Sequence, residues 1–142
     1  MKTTARNQFA GRIRTLETGP ATTQVVIALP GDTQIVASVT TASAEAMRLR
    51  PGIEALAIVK APSVVLVTDL AGWRLSARNQ LAGTISRVHK GAITSLVALT
   101  LPGGATISAT VTNDAVEALG LAAGQPAIAA FKASAVMVAV AD

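Results

Sequence analysis

The chain is close to one sequence written twice. Shifting its 142 residues by 72 lays residues 3 to 70 over residues 75 to 142 without a gap, and 26 of the 68 paired positions are identical. "TARNQFAGRI" at residues 4 to 13 returns as "SARNQLAGTI" at residues 76 to 85. A period this long exceeds that of solenoid repeats and predicts two tandem small domains, residues 1–70 and 71–142. The joint falls in "DLAGWR", residues 69 to 74, where Trp73 has no counterpart and is expected to plug the space between the units.

Domains of about 70 residues are marginal on their own. These are poor in aromatic side chains, with only Phe9, Phe131 and Trp73, although 51% of the chain is hydrophobic and its mean hydropathy is +0.51. Ala and Val supply most of that apolar content, so association with further copies is the expected source of added stability. The absence of cysteine excludes disulfides, thiolate metal sites and cysteine nucleophiles.

Apolar stretches such as "EALAIVKAPSVVLV" are interrupted by Lys, Pro or Ser and fall short of the roughly 20 residues that span a bilayer. The start, "MKTTARNQFAGR", lacks the apolar segment of a secretion signal, which predicts a soluble cytoplasmic protein with no membrane partner. Twelve basic against eight acidic residues give a net charge of +4 and favour an anionic partner.

Hydrophobic periodicity in each unit is mainly of period two, or takes the form of short apolar runs bounded by turn signals: "QFAGRIRTLETG", "TTQVVIALPGD", "TQIVASVTT", "EALAIVKAPSVVLVTD". "LPGD" and "LPGG" read as tight hairpin turns. "TASAEAMRLRPG" and "TNDAVEALGLAAG" each carry a capping residue, a helical spacing and a terminating Gly. The fold class predicted is mainly β: two tandem five-stranded barrels of the oligonucleotide- and oligosaccharide-binding type, each with one short helix.

Three groups of polar residues recur in both units: Arg6 and Asn7 with Arg78 and Asn79, Thr40 with Thr112, and Lys60 with Lys132. Each lysine stands in an otherwise buried-looking run, where an ammonium is costly without a negative partner. One guanidinium and one ammonium per unit, with nearby hydroxyls and backbone amides, suit a small dianion and require no chemistry of it. His89 is the only histidine, is replaced by Glu17 in the first unit, and is expected at the surface. Zinc sites and histidine-based triads therefore lack ligands, and no glycine-rich phosphate loop is present. Small basic barrels also bind single-stranded nucleic acid by stacking bases on aromatics. Here Phe9 is matched by Leu81 and Phe131 by Val59, which marks them as core residues and argues against a nucleic-acid partner.

"ARNQ" followed by Gly11 or Gly83, "VT" at 39 or 111 and "KA" at 60 or 132 resemble the Mop-type molybdate-binding domain, and two in one chain resemble a di-Mop protein. The resemblance covers nearly the whole chain, and "SARNQL" with "KAS" at 132 to 134 is its most specific part. It implies a small barrel that stores molybdate or tungstate without transforming it, at sites between domains of a homo-oligomer, most simply a trimer. It implies one wall of a site at Ser76, Arg78, Lys132, Ala133 and Ser134, and a second at Thr4, Arg6, Lys60 and Ala61, where Pro62 replaces Ser134. The facing element is Thr40 with Ser43 in the first unit, and Thr112 with Ala115 in the second. Pro62 removes an amide donor, so sites of unequal affinity are expected. The alternatives are an oxyanion-sensing regulatory or interaction module, as when such domains are fused to DNA-binding helices, and a barrel that binds single-stranded nucleic acid. These 142 residues show no such helices beside the two units, and no recurring acid–base pair or nucleophile suggests an enzyme.

Overall fold

Alternating small and β-branched side chains carry each repeat through the same series of elements. In the computed structural model, which describes all 142 residues, these are β1 (Asn7–Thr18), β2 (Thr22–Ala28), β3 (Gln34–Thr40), α1 (Thr41–Ala46), β4 (Glu54–Val59) and β5 (Val65–Val67). The second repeat supplies β6 (Asn79–Lys90), β7 (Thr94–Thr100), β8 (Thr106–Thr112), α2 (Asn113–Leu119), β9 (Pro126–Phe131) and β10 (Met137–Ala139). The five strands and one helix read from each repeat are thus present. No helix is long and apolar enough to cross a membrane.

The strands form two five-stranded sheets, but not one per repeat. Their orders are β10-β4-β1-β2-β3 and β5-β9-β6-β7-β8, so each repeat sends its last strand into the other's sheet. Met137 to Ala139 pair with Leu56 to Ile58, and Val65 to Val67 pair with Ile128 to Ala130. The exchange begins at the 3-10 turns Ala61–Ser63 and Ala133–Ala135, which follow the two recurring lysines and lie against β8 and β3 of the opposite repeat. One hydrophobic cluster consequently runs through both halves, from Phe9, Ile13 and Val64 to Ile85, Phe131 and Val136.

The long first strand of each repeat is bent to serve two neighbours. Its register slips at Arg14 in β1 and at Ser86 in β6, and this bulge lets twelve residues curve around the barrel. The "AG" of each polar run has its explanation in the same curvature. A side chain at Gly11 would place its Cβ 2.3 Å from the carbonyl oxygen of Ala28, and at Gly83 2.6 Å from that of Thr100. Only glycine allows the first strand to pass so close to the second.

Asn7 and Asn79 fasten the repeats together. Asn7, 2% exposed, donates through Nδ2 to the Ser108 carbonyl at 2.8 Å and accepts from the Ser108 N–H at 2.8 Å. Asn79, 1% exposed, makes the same pair of bonds with Val36, also at 2.8 Å. Positions 36 and 108 are themselves 72 apart, so the two contacts are related by an internal two-fold. Around that axis the "LPGD" and "LPGG" turns meet back to back: a Cβ on Gly31 would lie 2.5 Å from the Gly103 Cα, and Thr33 Oγ1 reaches the Pro102 carbonyl at 3.4 Å.

Trp73 does not plug the joint. It is 78% exposed, and its backbone N–H closes a turn on the Leu70 carbonyl. The exchanged strands and the asparagine contacts already fill the space between the repeats, so no bulky side chain is needed there.

Two outcomes are expected from this arrangement. Asn79→Ala leaves both backbone groups of Val36 without partners, at a cost of about 1–3 kcal/mol for each group that stays dry, so urea melts should show a marked loss of stability. A fragment of residues 1–72 lacks its fifth strand, and light scattering with circular dichroism should show unfolded or self-associated chains rather than folded monomer.

Candidate functional site

The polar run at the start of β6 reaches its position through pairing with β9. Asn79 lies opposite Phe131, so the next residues outward, Arg78 and Lys132, lie opposite each other just beyond the ladder. In the first repeat Asn7 opposite Val59 brings Arg6 beside Lys60 in the same way. All four cationic side chains are exposed. The buried-looking run that contains each lysine therefore ends before the ammonium, since β4 stops at Val59 and β9 at Phe131. Gln80 steadies the approach by donating from Nε2 to the Leu75 carbonyl at 3.2 Å and the Ala77 carbonyl at 2.9 Å.

Each lysine leads into a 3-10 turn whose amides are spent unequally. The Ala135 N–H donates to the Lys132 carbonyl at 3.0 Å, whereas the N–H groups of Ala133 and Ser134 find no acceptor within the chain. With Arg78, Lys132 and the exposed hydroxyls of Ser76 and Ser134, they give one surface with two positive charges and several donors. In the first repeat the Ser63 N–H closes the turn on Lys60 at 2.9 Å, Ala61 keeps its N–H, and Pro62 has none. The strand pairing thus brings Arg78 beside Lys132, which leads into Ala133 and Ser134, and Arg6 beside Lys60, which leads into Ala61; Ser76 and Thr4 are exposed two residues before each arginine. The Lys60 side has fewer donors.

The hydroxyls expected to face these walls have a structural duty besides. Thr40 caps α1: its Oγ1 accepts from the Ser43 N–H at 3.1 Å and donates to Ser43 Oγ at 2.8 Å, which leaves the Ser43 hydroxyl proton to be offered outward. Thr112 caps α2 by accepting from the Ala115 N–H at 3.2 Å, and its own hydroxyl proton stays uncommitted. The capping was legible in "VTTAS" and "VTNDA" only as a helix start.

Asn79 grips β3 at Val36, whereas Thr40 ends the strand four residues on, about 13 Å at roughly 3.3 Å per residue. Arg6, by contrast, lies across the repeat boundary in a cleft with Arg87, His89 and Thr110. Sequence reasoning left Arg87 and His89 out, because neither is shared by the other repeat. No group of three or more His, Asp or Glu residues is placed to hold a metal cation.

Comparison with known proteins agrees with this architecture. The TOBE domain family model matches residues 3–66 and 75–138. Molybdenum transport protein ModE of Herbaspirillum seropedicae is 60% identical over 140 residues, 99% of this chain and 52% of that protein. Molybdenum-pterin-binding protein MopA of Rhodobacter capsulatus is 35% identical over 139 residues, 98% of this chain and 52% of that protein. The chain thus spans about half the length of these curated relatives. A crystal structure of the cytoplasmic molybdate-binding protein ModG with molybdate bound superposes with a TM-score of 0.96 at 45% identity, covering 99% of this chain and 100% of that one. With two matched copies of the domain and a fold shared over nearly its whole length, the chain belongs to the TOBE domain family.

Proposed function

We propose that this protein binds and stores molybdate or tungstate in the cytoplasm, reversibly and without catalysis. The observation that carries the reading is the Arg78–Lys132 surface. Two cations and two unspent backbone amides, with no carboxylate among Ser76, Arg78, Lys132, Ala133 and Ser134, suit a tetrahedral dianion. The likeness to ModG, whose structure holds molybdate, and to MopA supports the choice of ion.

The units at 1–70 and 71–142 are the two binding modules in this reading, although neither closes its sheet without a strand from the other. In this reading Thr40 and Ser43 serve the wall of another copy. The complete site then lies at an interface in a homo-oligomer, for which a trimer with six barrels in a ring is the simplest closed form. Exposed apolar side chains at Val65, Met137 and Ile93 support such packing.

The likeness to a protein named transcriptional regulator ModE, from Yersinia pestis, favours a second reading, in which the same oxyanion sites serve a sensor. A sensor must differ in structure or assembly between its free and loaded states, whereas a store need not.

Calorimetry should show molybdate and tungstate binding well ahead of sulfate and phosphate; equal heats for sulfate, or none for molybdate, would sink the proposal. Arg78→Ala removes one charge-assisted interaction, worth about 1.5–3 kcal/mol, and should weaken binding by roughly ten- to a hundredfold. As an exposed residue it should change the melting point little. Native mass spectrometry should show trimers both with and without molybdate. A monomer that binds at full strength would refute the interface site, and assembly only on loading would favour the sensor.

A further inference from the structure

The two repeats share a backbone but have diverged in charge at one place. Arg6 of the first repeat and Arg87, His89, Thr94 and Thr110 of the second line a cleft of about 340 Å³ between the repeats. His89 lies opposite Leu96, and Leu96 opposite Thr110, so these three form one row across β6, β7 and β8. Arg87 is two residues from His89 along β6 and thus shares its face. No carboxylate lines the cleft, and neither Arg6 nor Arg87 is in an ion pair. The one charge pair of this strand, Lys90 with Glu117 at 3.9 Å, starts from the adjacent residue, which points to the other face.

At the equivalent positions of the first repeat stand Thr15 and Glu17, near the other polar run with Arg78. One copy therefore combines two guanidinium groups and an imidazole, the other a single guanidinium and a carboxylate. The strand pairing is the same in both, so the difference is one of side-chain chemistry alone.

We propose that Arg6, Arg87 and His89 form a second, weaker site for a hydrated tetrahedral oxyanion, contained within one chain and present only on the side of the second barrel. The proposal rests on the reading of Arg6 and Arg78 as anion ligands. Arg87 offers a fork of N–H donors and His89 a ring N–H, with the hydroxyls of Thr94 and Thr110 beside them. Because the cleft is open to solvent, its affinity falls more steeply with salt than that of a site closed by a second copy.

The test is a titration of the full chain with sodium molybdate at low ionic strength, using two exchanges of residues between the repeats. Wild type should show two classes of site. Arg87→Thr with His89→Glu, which installs the first repeat's residues, should lower the weaker class at least tenfold and leave the tighter one in place. Thr15→Arg with Glu17→His should add a weak site, and it carries the test if the first variant melts early by circular dichroism. Unchanged stoichiometry and affinities within twofold in both variants would overturn this proposal alone, with Arg78-dependent binding still intact. Absence of any molybdate binding by wild type would instead overturn the storage reading and this site together.

Discussion

Two buried amides hold the architecture in register. Asn7 and Asn79 each read one backbone N–H and one C=O on a strand of the opposite repeat, in the way a neighbouring strand would. A carboxamide carries its donor and its acceptor on separate atoms, spaced as in a peptide group, so it satisfies both groups where no strand is present. The requirement is strict because these groups are shielded from water, and an unpaired polar group there is costly. The exchanged strands, the 3-10 turns and the placing of Arg6 and Arg78 all depend on this seam.

The seam links stability to function through adjacency in sequence. Arg78 precedes Asn79, and Lys132 follows Phe131, the residue paired with Asn79. Fixing the amide therefore sets two cations side by side without a carboxylate between them. Like charges so placed repel each other, and an arriving dianion relieves the repulsion. In the storage reading proposed above, this surface holds donors in place for an ion that remains unchanged.

Duplication within one chain allows the two copies to diverge, which copies in a homodimer cannot do. Pro62 differs from Ser134 in the 3-10 turns, Ser43 from Ala115 in the first turns of the helices and Glu17 from His89 on the first strands, whereas the core and the hairpin glycines are largely shared. A protein with unequal sites takes up its ligand over a wider range of concentration than one with identical sites. That property suits buffering.

Much of this was legible in the sequence. The 72-residue shift displayed the repeat, the period-two patterns displayed the strands, and the pairing of Phe9 with Leu81 and Phe131 with Val59 marked core positions that are indeed buried or packed on the core. The recurring Arg, Thr and Lys pointed to an anion because their charge and donor count are properties of residue type alone. What a repeat cannot reveal is which copy's strand completes which sheet, since either fifth strand has the same pattern and fits either barrel equally well. Only the tertiary structure decided that exchange. It also moved Trp73 out to solvent, made the recurring Asn7 and Asn79 the fastening between repeats, and set Arg87 and His89 beside Arg6. Each of these depends on residues far apart in the chain meeting across the internal two-fold, and local pattern carries no record of such a meeting.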